Sequence, residues 1–375
     1  MATMKTTAAA PVRGRSLWDD ALIRLKRNRA ATLSLGFLVA MALACIIGPL
    51  LTGHGYDQVY RSYVKVGPSL TPYPRAETVA PAARRALRRA RVEVGEDIVI
   101  GDGIVRIPVS SEGELDQRIV RYIDRGDIFS GARLEDLAAD GRSAVIVADI
   151  EQLTFLFGTD ATGRDLLTRT LIAGRISMTI GLLATVVAIV IGVTYGSLSG
   201  YLGGRADLLM MRIVDVLYSL PFIFFVILLV VFFGRNFVLM FIAVGAVEWL
   251  DMARIVRGQT LTLKRQEFVQ AAEALGVENI GILRRHIIPN LTGPVVIYMT
   301  LLVPKVILLE SFLSFLGLGV QEPMTSWGVL ISEGARDIEG NPTMLLFPAL
   351  FLTSTLFALN FIGDGLRDAL DPKDR

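Results

Sequence analysis

Long apolar segments recur along the chain, and six of them reach or approach the length needed to cross a membrane. They are Ala30 to Thr52, Ile176 to Gly204, the run between Asp215 and Arg235, Asn236 to Ile255, Ile287 to Leu316, and Pro342 to Gly363. A helix crosses the hydrocarbon core with about 20 apolar residues and satisfies its backbone hydrogen bonds internally. Membrane β-barrels instead use alternating strands of about ten residues. The pattern therefore predicts an all-α membrane protein with six transmembrane helices.

One polar segment, residues 53–157, interrupts this pattern between the first and second apolar runs. Helix-like spacing over 81–92 and 114–126 alternates with strand-like runs over 97–109 and 141–150. A Gly-Asp-Gly turn divides the first of these runs into two strands. About 100 residues suffice to bury a small core, so we expect a small α/β domain inserted after the first transmembrane helix.

Basic residues indicate which side of the membrane each loop occupies. The first 29 residues hold seven Lys and Arg against two Asp, and the loop 254–286 holds six more basic residues. An excess of Lys and Arg marks cytoplasmic loops, so both termini are predicted to be cytoplasmic and the insert extracytoplasmic. The first apolar run is too long for a cleaved signal peptide. The predicted boundaries are an N-terminus over 1–29, a first helix over 30–52, an insert over 53–157, a membrane core over 158–363 with a cytoplasmic loop at 258–290, and a C-terminus over 364–375.

Composition agrees with a membrane protein that carries a polar insert. Of the 375 residues 52% are hydrophobic and 20% charged, and the mean hydropathy is +0.52. A net charge of +2 gives no indication of a nucleic-acid partner. The single cysteine, Cys45, lies in an apolar run and has no partner for an intrachain disulfide.

Several catalytic and metal-binding signatures are missing from the sequence. No lysine follows a glycine, so the chain has no GxxxxGK[ST] phosphate loop. His54 and His286 lie in loops predicted on opposite sides of the membrane, which argues against a metal cluster. Neither a GxSxG elbow nor an HExxH helix occurs in the spans. We therefore expect no catalytic residue, no metal and no cofactor on this chain, and ATP hydrolysis elsewhere.

The predicted cytoplasmic loop has two apolar stripes at helical spacing. The first comprises Phe268, Ala271, Ala272 and Leu275, and the second Ile280, Leu283 and Ile287. Gly276 ends the first short helix, as glycine commonly does, and Pro289 closes the second before the next span. Two short helices that meet at a glycine form a knob whose small residues let another surface approach. Packing of the same helices against their own bundle is the alternative.

This loop resembles the "EAA" loop of binding-protein-dependent ABC permeases. QAAEALG is followed ten residues later by His286 and then by Pro289, with Gln270 where the family usually has glutamate. The resemblance implies that the loop docks into a groove on an ATPase subunit and that any charge-assisted contact of the glutamate is lost. The positions that match the motif or flank it are Phe268, Gln270, Ala271, Ala272, Ala274, Leu275, Gly276, Val277, His286 and Pro289.

Three further stretches resemble the C-type permease subunit of dipeptide and oligopeptide importers, a family that also includes nickel permeases. They are FGTDATGRDLLTRTLIAGRISMTIGL from Phe157, LLESFLSFLGLGVQEPMTSWGVLISEGA from Leu308, and NFIGDGLRDALDPK from Asn360. The resemblance implies a six-helix permease bundle in a bacterial inner membrane that moves peptides by alternating access. Its implied partners are a sister permease, two ABC subunits that bind ATP and Mg²⁺, and an extracytoplasmic substrate-binding protein.

Two more groups of residues are candidate sites. The first is GTDATGRD, interpreted as an elbow at the membrane surface, with tight turns at glycine, a helix cap from Thr159 or Asp160, and anchoring by Arg164 and Asp165. Its residues of interest are Gly158, Thr159, Asp160, Gly163, Arg164 and Asp165. A purely structural elbow is the alternative.

The second group consists of charges inside predicted spans, which are functional hypotheses by default. Glu248, Lys305 and Glu310 are candidates to face a transport pathway and meet the charged ends of a peptide. Asp251 and Arg254 stand at i and i+3, which suits an ion pair on one helix. Transport of nickel or another small solute, a secondary carrier that uses intramembrane acids, and a non-transporting scaffold built around the insert remain alternatives at this point.

Overall fold

The computed structural model describes residues 17–234 and 237–370. Its helices are α1 Leu17–Arg27, α2 Arg29–Leu51, α3 Ala76–Leu87, α4 Val120–Asp124, α5 Leu166–Leu202, α6 Gly204–Ser219, α7 Phe222–Phe233, α8 Phe237–Lys264, α9 Glu267–Ala274, α10 Asn279–Ile282, α11 Ile288–Phe315, α12 Trp327–Arg336 and α13 Thr343–Leu370. Its strands are β1 Glu93–Val94, β2 Val99–Gly101, β3 Ile104–Ser110, β4 Phe129–Glu135 and β5 Ser143–Ile150. The described residues form two compact units, one of 17–42, 178–310 and 353–370 and the other of 43–177 and 311–352.

Four helices in the described residues are long and apolar enough to cross a membrane. They are Arg29–Leu51, Leu166–Leu202, Asn279–Phe315 and Thr343–Leu370. The pair α6 and α7 qualifies as a fifth span when taken together, although its two halves meet at an angle of 83°. The mostly helical membrane fold that the sequence predicts is confirmed. Of its six predicted spans, the described helices reach the required length and apolar character in four, or in five when the bent pair is counted.

The difference arises in the third and fourth predicted spans. The third is divided at Leu220 and Pro221, because proline provides no backbone N–H and favours an extended residue before it. The fourth lies within α8, whose second half carries charged residues: Glu248, Asp251, Arg254 and Arg257. Because of these charges, α8 is not among the described helices that are apolar enough to cross a membrane.

The second span begins ten residues earlier than predicted, at Leu166 instead of Ile176. The early turns of α5 contain Arg169 and Arg175, which the apolar pattern alone excludes. Their charges are satisfied locally, since Arg175 donates to the backbone oxygens of Cys45 and Ile46, at 2.5 and 2.6 Å. Arginine is a good helix former, so an arginine whose charge finds hydrogen-bond acceptors does not end a helix.

Helices α5 and α8 pack closely because α5 presents glycines at four-residue spacing. Gly192, Gly196 and Gly200 face α8, and a Cβ at Gly196 would collide with the backbone oxygen of Ala253. Small residues at this spacing let membrane helices approach backbone to backbone. The contact is therefore fixed by the main chain and cannot yield by a rotamer change.

Gly196→Leu is accordingly expected to separate the two helices and to destabilise the protein by about 3 kcal/mol or more, the upper range for overpacking. A lowered thermal unfolding midpoint in detergent would report the loss. Gly258→Leu is the matched control, because a Cβ at Gly258 meets nothing within 4 Å. Equal midpoints for the two variants would contradict this packing.

The polar segment folds as an antiparallel sheet covered on one face by helices. The strand order is β1-β3-β5-β4, with β2 also paired to β3. The predicted strand pair is confirmed as β2 and β3, joined at Asp102 and Gly103, both of which have positive φ. Residues of α3, α4, β3, β4 and β5 share one apolar core. The helix predicted over 81–92 instead spans Ala76–Leu87.

Candidate coupling site and transport cavity

The loop after α8 turns at Gly276 and continues directly into a long helix. Gly276 adopts φ +77°, and its N–H donates to the Glu273 oxygen while that of Val277 reaches the Ala272 oxygen. This is the hydrogen-bonding pattern of a glycine-terminated helix. From Asn279 the chain stays helical through a π-turn at Leu283–Ile287 to Phe315. The prediction that Pro289 closes a separate second helix is wrong, because the helix continues through Pro289 directly after the π-turn, and a local π-turn lets a helix tolerate a proline.

One face of the loop is buried and the other is exposed and apolar. Val269, Ala272, Ile282 and Ile287 are buried. We call the exposed set the coupling patch: Phe268, Ala271, Leu275 and Ile280. Leu275 is 84% exposed and Ile280 69%. The predicted stripe is therefore split, since Ala272 anchors the loop inward whereas its other members point outward.

Tyr201, at the end of α5, holds the two halves of the loop together. Its hydroxyl lies 3.0 Å from Asn279 Oδ1 and 3.4 Å from Glu273 Oε1, so it contacts the segments before and after Gly276. Lys264, the last residue of α8, donates to the Tyr201 backbone oxygen at 2.6 Å and lies over its ring. Tyr201 is buried. The loop is thus fastened to the ends of α5 and α8.

Gln270, where the family usually has glutamate, uses a property that glutamate lacks. Its Nε2 donates to the Arg265 backbone oxygen at 3.3 Å, just beyond the end of α8. A carboxylate has no hydrogen to donate. The amide therefore satisfies a carbonyl of the turn between α8 and α9. His286 lies near the patch, with its ring 6.5 Å from that of Phe268.

The GTDATGRD segment is a buried network of charges. Asp160 accepts hydrogen bonds from the Thr162 N–H at 2.7 Å, from the Arg164 N–H at 2.9 Å and from the Arg164 Nε at 2.8 Å. It also pairs with Arg169, which binds Glu333 at 2.8 Å. Arg164 in turn reaches Glu322 at 2.9 Å. The arginines thereby join the turn to α12 and to the loop before it.

These contacts differ from the predicted elbow in the residue that caps α5 and in the direction of two charged side chains. The cap of α5 is Asp165, whose Oδ2 accepts from the Thr168 N–H at 2.7 Å, and not Thr159 or Asp160. Thr159 is buried and instead receives the Val66 N–H at 3.1 Å. The side chains predicted to anchor the segment outward, Arg164 and Asp165, turn inward: Arg164 pairs with the buried Asp160, and Asp165 is itself buried.

Two glycines and one tryptophan complete this structural unit. Gly158 and Gly163 have positive φ, and a Cβ at either would collide with a carbonyl oxygen, of Val66 and Tyr60 respectively. Trp327 is fully buried and donates from Nε1 to the Thr170 oxygen at 3.0 Å. Gly174 leaves the space for its ring. Gly317, with φ +77°, lies just after the end of α11.

The two buried carboxyls of this turn have opposite electrostatic environments. Burial acts to raise the pKa of Asp160, but Arg169 and the hydrogen bonds outweigh it and leave that pKa below its usual value. Burial raises the pKa of Asp165 above its usual value despite the Thr168 hydrogen bonds. Asp165 Oδ1 has no hydrogen-bond partner within the described part of the chain.

A cavity of about 430 Å³ lies where the α6–α7 pair is broken. Leu217, Tyr218, Phe222 and Phe225 line it, together with Glu248, Asp251 and Lys305. Lys305 Nζ lies 2.7 Å from Glu248 Oε2 and 3.1 Å from Asp251 Oδ2, which joins α8 to α11.

The charged residues that the sequence places in spans have partners other than those expected. Asp251 pairs with Lys305 and not with Arg254, which binds Asp215 at 2.9 Å and lies over the Tyr218 ring. Glu310 is fully buried and does not line the cavity. Pairing between helices cannot be read from spacing along one helix.

Tyr201 is the residue of the coupling site that the sequence pattern did not predict. Its signal in the sequence is an aromatic residue with a polar hydroxyl that stands between glycines.

Two protein-family models match separate parts of the chain. Residues 188–375 match the model of the family described as binding-protein-dependent transport system inner membrane component. Residues 16–87 match the N-terminal TM domain of oligopeptide transport permease C. Residues 88–187 lie outside both matches.

Similar proteins include several permeases. The oligopeptide transport system permease protein OppC of Escherichia coli (strain K12) is 47% identical over 364 residues, 97% of this chain and 94% of that protein. OppC of Haemophilus influenzae is 61% identical over 219 residues, which cover 58% of this chain and 70% of that protein. The dipeptide transport system permease protein DppC of Bacillus subtilis is 48% identical over 220 residues, 58% of this chain and 69% of that protein.

A solved structure of the MetNI methionine ABC transporter in an inward-facing conformation is similar over 55% of this chain and 96% of that one, with 18% identity and a TM-score of 0.46. The family model matches half of this chain, and the identity to the E. coli protein extends over nearly all of it. The chain therefore belongs to the binding-protein-dependent transport system inner membrane component family and is a permease subunit of an ABC importer, not an enzyme.

Proposed function

We propose that this chain forms half of the translocation pathway of an ATP-driven peptide importer and works by alternating access. Similarity to oligopeptide and dipeptide permeases supports peptides as the substrate class. The observation on which the proposal rests is the exposed coupling patch beside Gly276, which is the proposed contact with an ATPase subunit. An apolar patch rimmed by charge on a membrane protein's loop favours a protein partner.

The proposed assembly contains a sister permease, two ATPase subunits that bind ATP and Mg²⁺, and an extracytoplasmic substrate-binding protein. In the proposed topology the termini and the coupling loop are cytoplasmic and the insert is extracytoplasmic. ATP binding closes the two ATPase subunits on each other. The closed pair binds one of the two permease conformations more tightly than the other and so shifts the permease towards that conformation.

Movement of the coupling patch reaches the membrane helices along two paths in this proposal. The first is covalent, since the helix that starts at Asn279 runs without interruption to Phe315. The second passes through Tyr201 and Lys264 to the ends of α5 and α8. Lys305 joins α8 to α11 at the cavity, where both paths converge.

The cavity at the α6–α7 break is the proposed part of the pathway on this subunit. Interrupted helices near the membrane midplane commonly form transporter binding sites. Glu248 and Lys305 are its charged residues, together with Asp251. Glu310 supports the helix from inside the protein in this proposal, because it is buried away from the cavity.

Cysteine crosslinking tests the ATPase contact with neighbouring positions of opposite exposure. Ala271 is exposed, whereas Ala272 is 5% exposed and faces inward. In the membrane-embedded complex, Ala271→Cys is expected to crosslink to the ATPase subunit and Ala272→Cys to give little product. The native Cys45 is buried, so background reaction is low. Absence of an ATPase adduct from Ala271→Cys, or equal yields from both, would defeat the proposal.

A further inference from the structure

The insert holds a basic cleft that the proposed transport function does not use. The cleft has a volume of about 380 Å³, and Arg61, Arg85 and Arg125 line it. All three side chains are exposed. None of them forms an ion pair with a carboxylate in residues 17–234 or 237–370. Since arginine stays protonated in proteins, the cleft carries three uncompensated positive charges.

These charges belong to a separation of charge across the whole insert. The segments 75–91 and 117–125, which comprise α3, α4 and their flanking residues, hold nine arginines against Glu77 and Asp124. The remaining residues of 53–157 hold fourteen acids and five basic residues. Because α3 and α4 pack on the same apolar core, the arginines within them, Arg84, Arg85 and Arg121, lie on the helical side of the sheet. The nearly neutral insert therefore has one strongly basic side, which attracts anions.

The cleft also lies next to the start of a spanning helix. Tyr60 donates its N–H to the Gly163 oxygen at 2.9 Å, and Arg61 is the following residue. Helix α5 begins only three residues after Gly163, at Leu166. In the proposed topology this position is the level of the lipid headgroups on the extracytoplasmic side. Arginine side chains are long enough to reach headgroups from there.

The lining chemistry suits a phosphate group. Guanidinium groups bind phosphate oxygens through paired N–H donors. Arg125 lies over the Tyr122 ring at 5.6 Å, which restricts its position. Ser62 also lines the cleft, and its backbone N–H donates to Asp127 Oδ2 at 3.0 Å.

We propose that the cleft formed by Arg61, Arg85 and Arg125 binds the phosphate of an anionic phospholipid headgroup and so holds the insert against the membrane. The proposal uses only the topology of the proposed function. Arg61 and Arg85 lie within the family match over residues 16–87, whereas Arg125 lies outside both matches.

The test uses native mass spectrometry to measure how much phosphatidylglycerol remains bound to the purified full complex after detergent extraction. The variant Arg85→Glu with Arg125→Glu is expected to retain at least about tenfold less of this lipid than the unmodified complex, since each basic group near anionic lipid contributes measurably. The matched control is Arg106→Glu with Arg142→Glu. It makes the same charge change on exposed residues of the sheet and its adjoining turn and is expected to retain the lipid fully.

Each outcome decides the proposal. Equal lipid retention by the variant and the unmodified complex would overturn it, as would equal losses in the variant and the control. Displacement of the lipid by millimolar inorganic phosphate would assign the cleft to a soluble anion. Loss of the substrate-binding protein with unchanged lipid would assign it to an acidic protein surface. Unchanged thermal unfolding of the variant shows that it is folded, and transport activity is not needed for the result.

Discussion

Leu275→Asp is expected to reduce ATP-driven transport at least about 30-fold while the protein remains folded. Leu275 is 84% exposed and stands next to the Gly276 turn, so no packing is lost when it is replaced. An apolar anchor in a protein interface commonly contributes 2 kcal/mol or more, which is about 30-fold in an equilibrium constant. A carboxylate placed in a partner's apolar groove adds a desolvation cost.

The measurement is uptake into proteoliposomes that contain the complete importer, together with the amount of ATPase subunit that copurifies. Both are expected to fall. Leu137→Asp is the matched control, because Leu137 is a 58% exposed leucine of the insert and receives the same substitution. Transport by Leu275→Asp at the level of this control would remove the coupling patch from the mechanism.

Apolar runs without charge could be located from the sequence almost to the residue. The first span was predicted over 30–52 and forms α2, Arg29–Leu51. The last was predicted over 342–363 and begins at Thr343, although its helix continues to Leu370. In these segments lipid exposure dominates the pattern, because backbone satisfaction leaves helix as the only solution.

The pattern was insufficient where partners distant in sequence satisfy charged residues. The start of α5 contains Arg169, whose partners Asp160 and Glu333 come from before and far after it. Lys305 similarly finds Glu248 on another helix. Hydropathy counts such residues as polar, whereas in the structure they are neutralised and remain helical.

The candidate coupling site was predictable in its position and less so in its orientation. Glycine at 276 and the alanine spacing place a short helix and its end correctly. Which apolar residues face inward depends on Tyr201 and on the continuation of the helix from Asn279, and neither follows from periodicity. For this reason Ala272 is an anchor, and Leu275 is available to a partner.

Asp160→Asn is expected to destabilise the protein by about 3–5 kcal/mol, the usual cost of removing one partner of a buried ion pair. The change leaves Arg169, 2% exposed, with Glu333 alone, and it replaces an acceptor for Arg164 by a neutral amide. Asp165→Asn, five residues later, is the matched control. Its amide oxygen can still accept the Thr168 N–H.

The pKa values of the two carboxyls are shifted in opposite directions, so the two substitutions are expected to change the stability of the protein differently. Because the folded-state pKa of Asp160 is lowered, its ionisation stabilises the fold above the unfolded pKa of about 4, and this is lost only as the pH falls through the lower folded value. The raised pKa of Asp165 means that its contribution is present below the unfolded pKa and is lost as the pH rises through the folded value. At pH 7 Asp165→Asn is therefore expected to be neutral or stabilising.

Thermal unfolding midpoints at pH 7, measured on the three proteins in the same detergent, distinguish these cases. Asp160→Asn is expected to unfold at the lowest temperature, with Asp165→Asn at or above the unmodified protein. Since removal of one negative charge is common to both variants, a difference between them must come from the surroundings of each carboxyl. Equal midpoints would show that the Asp160–Arg169–Glu333 network does not hold the turn before α5.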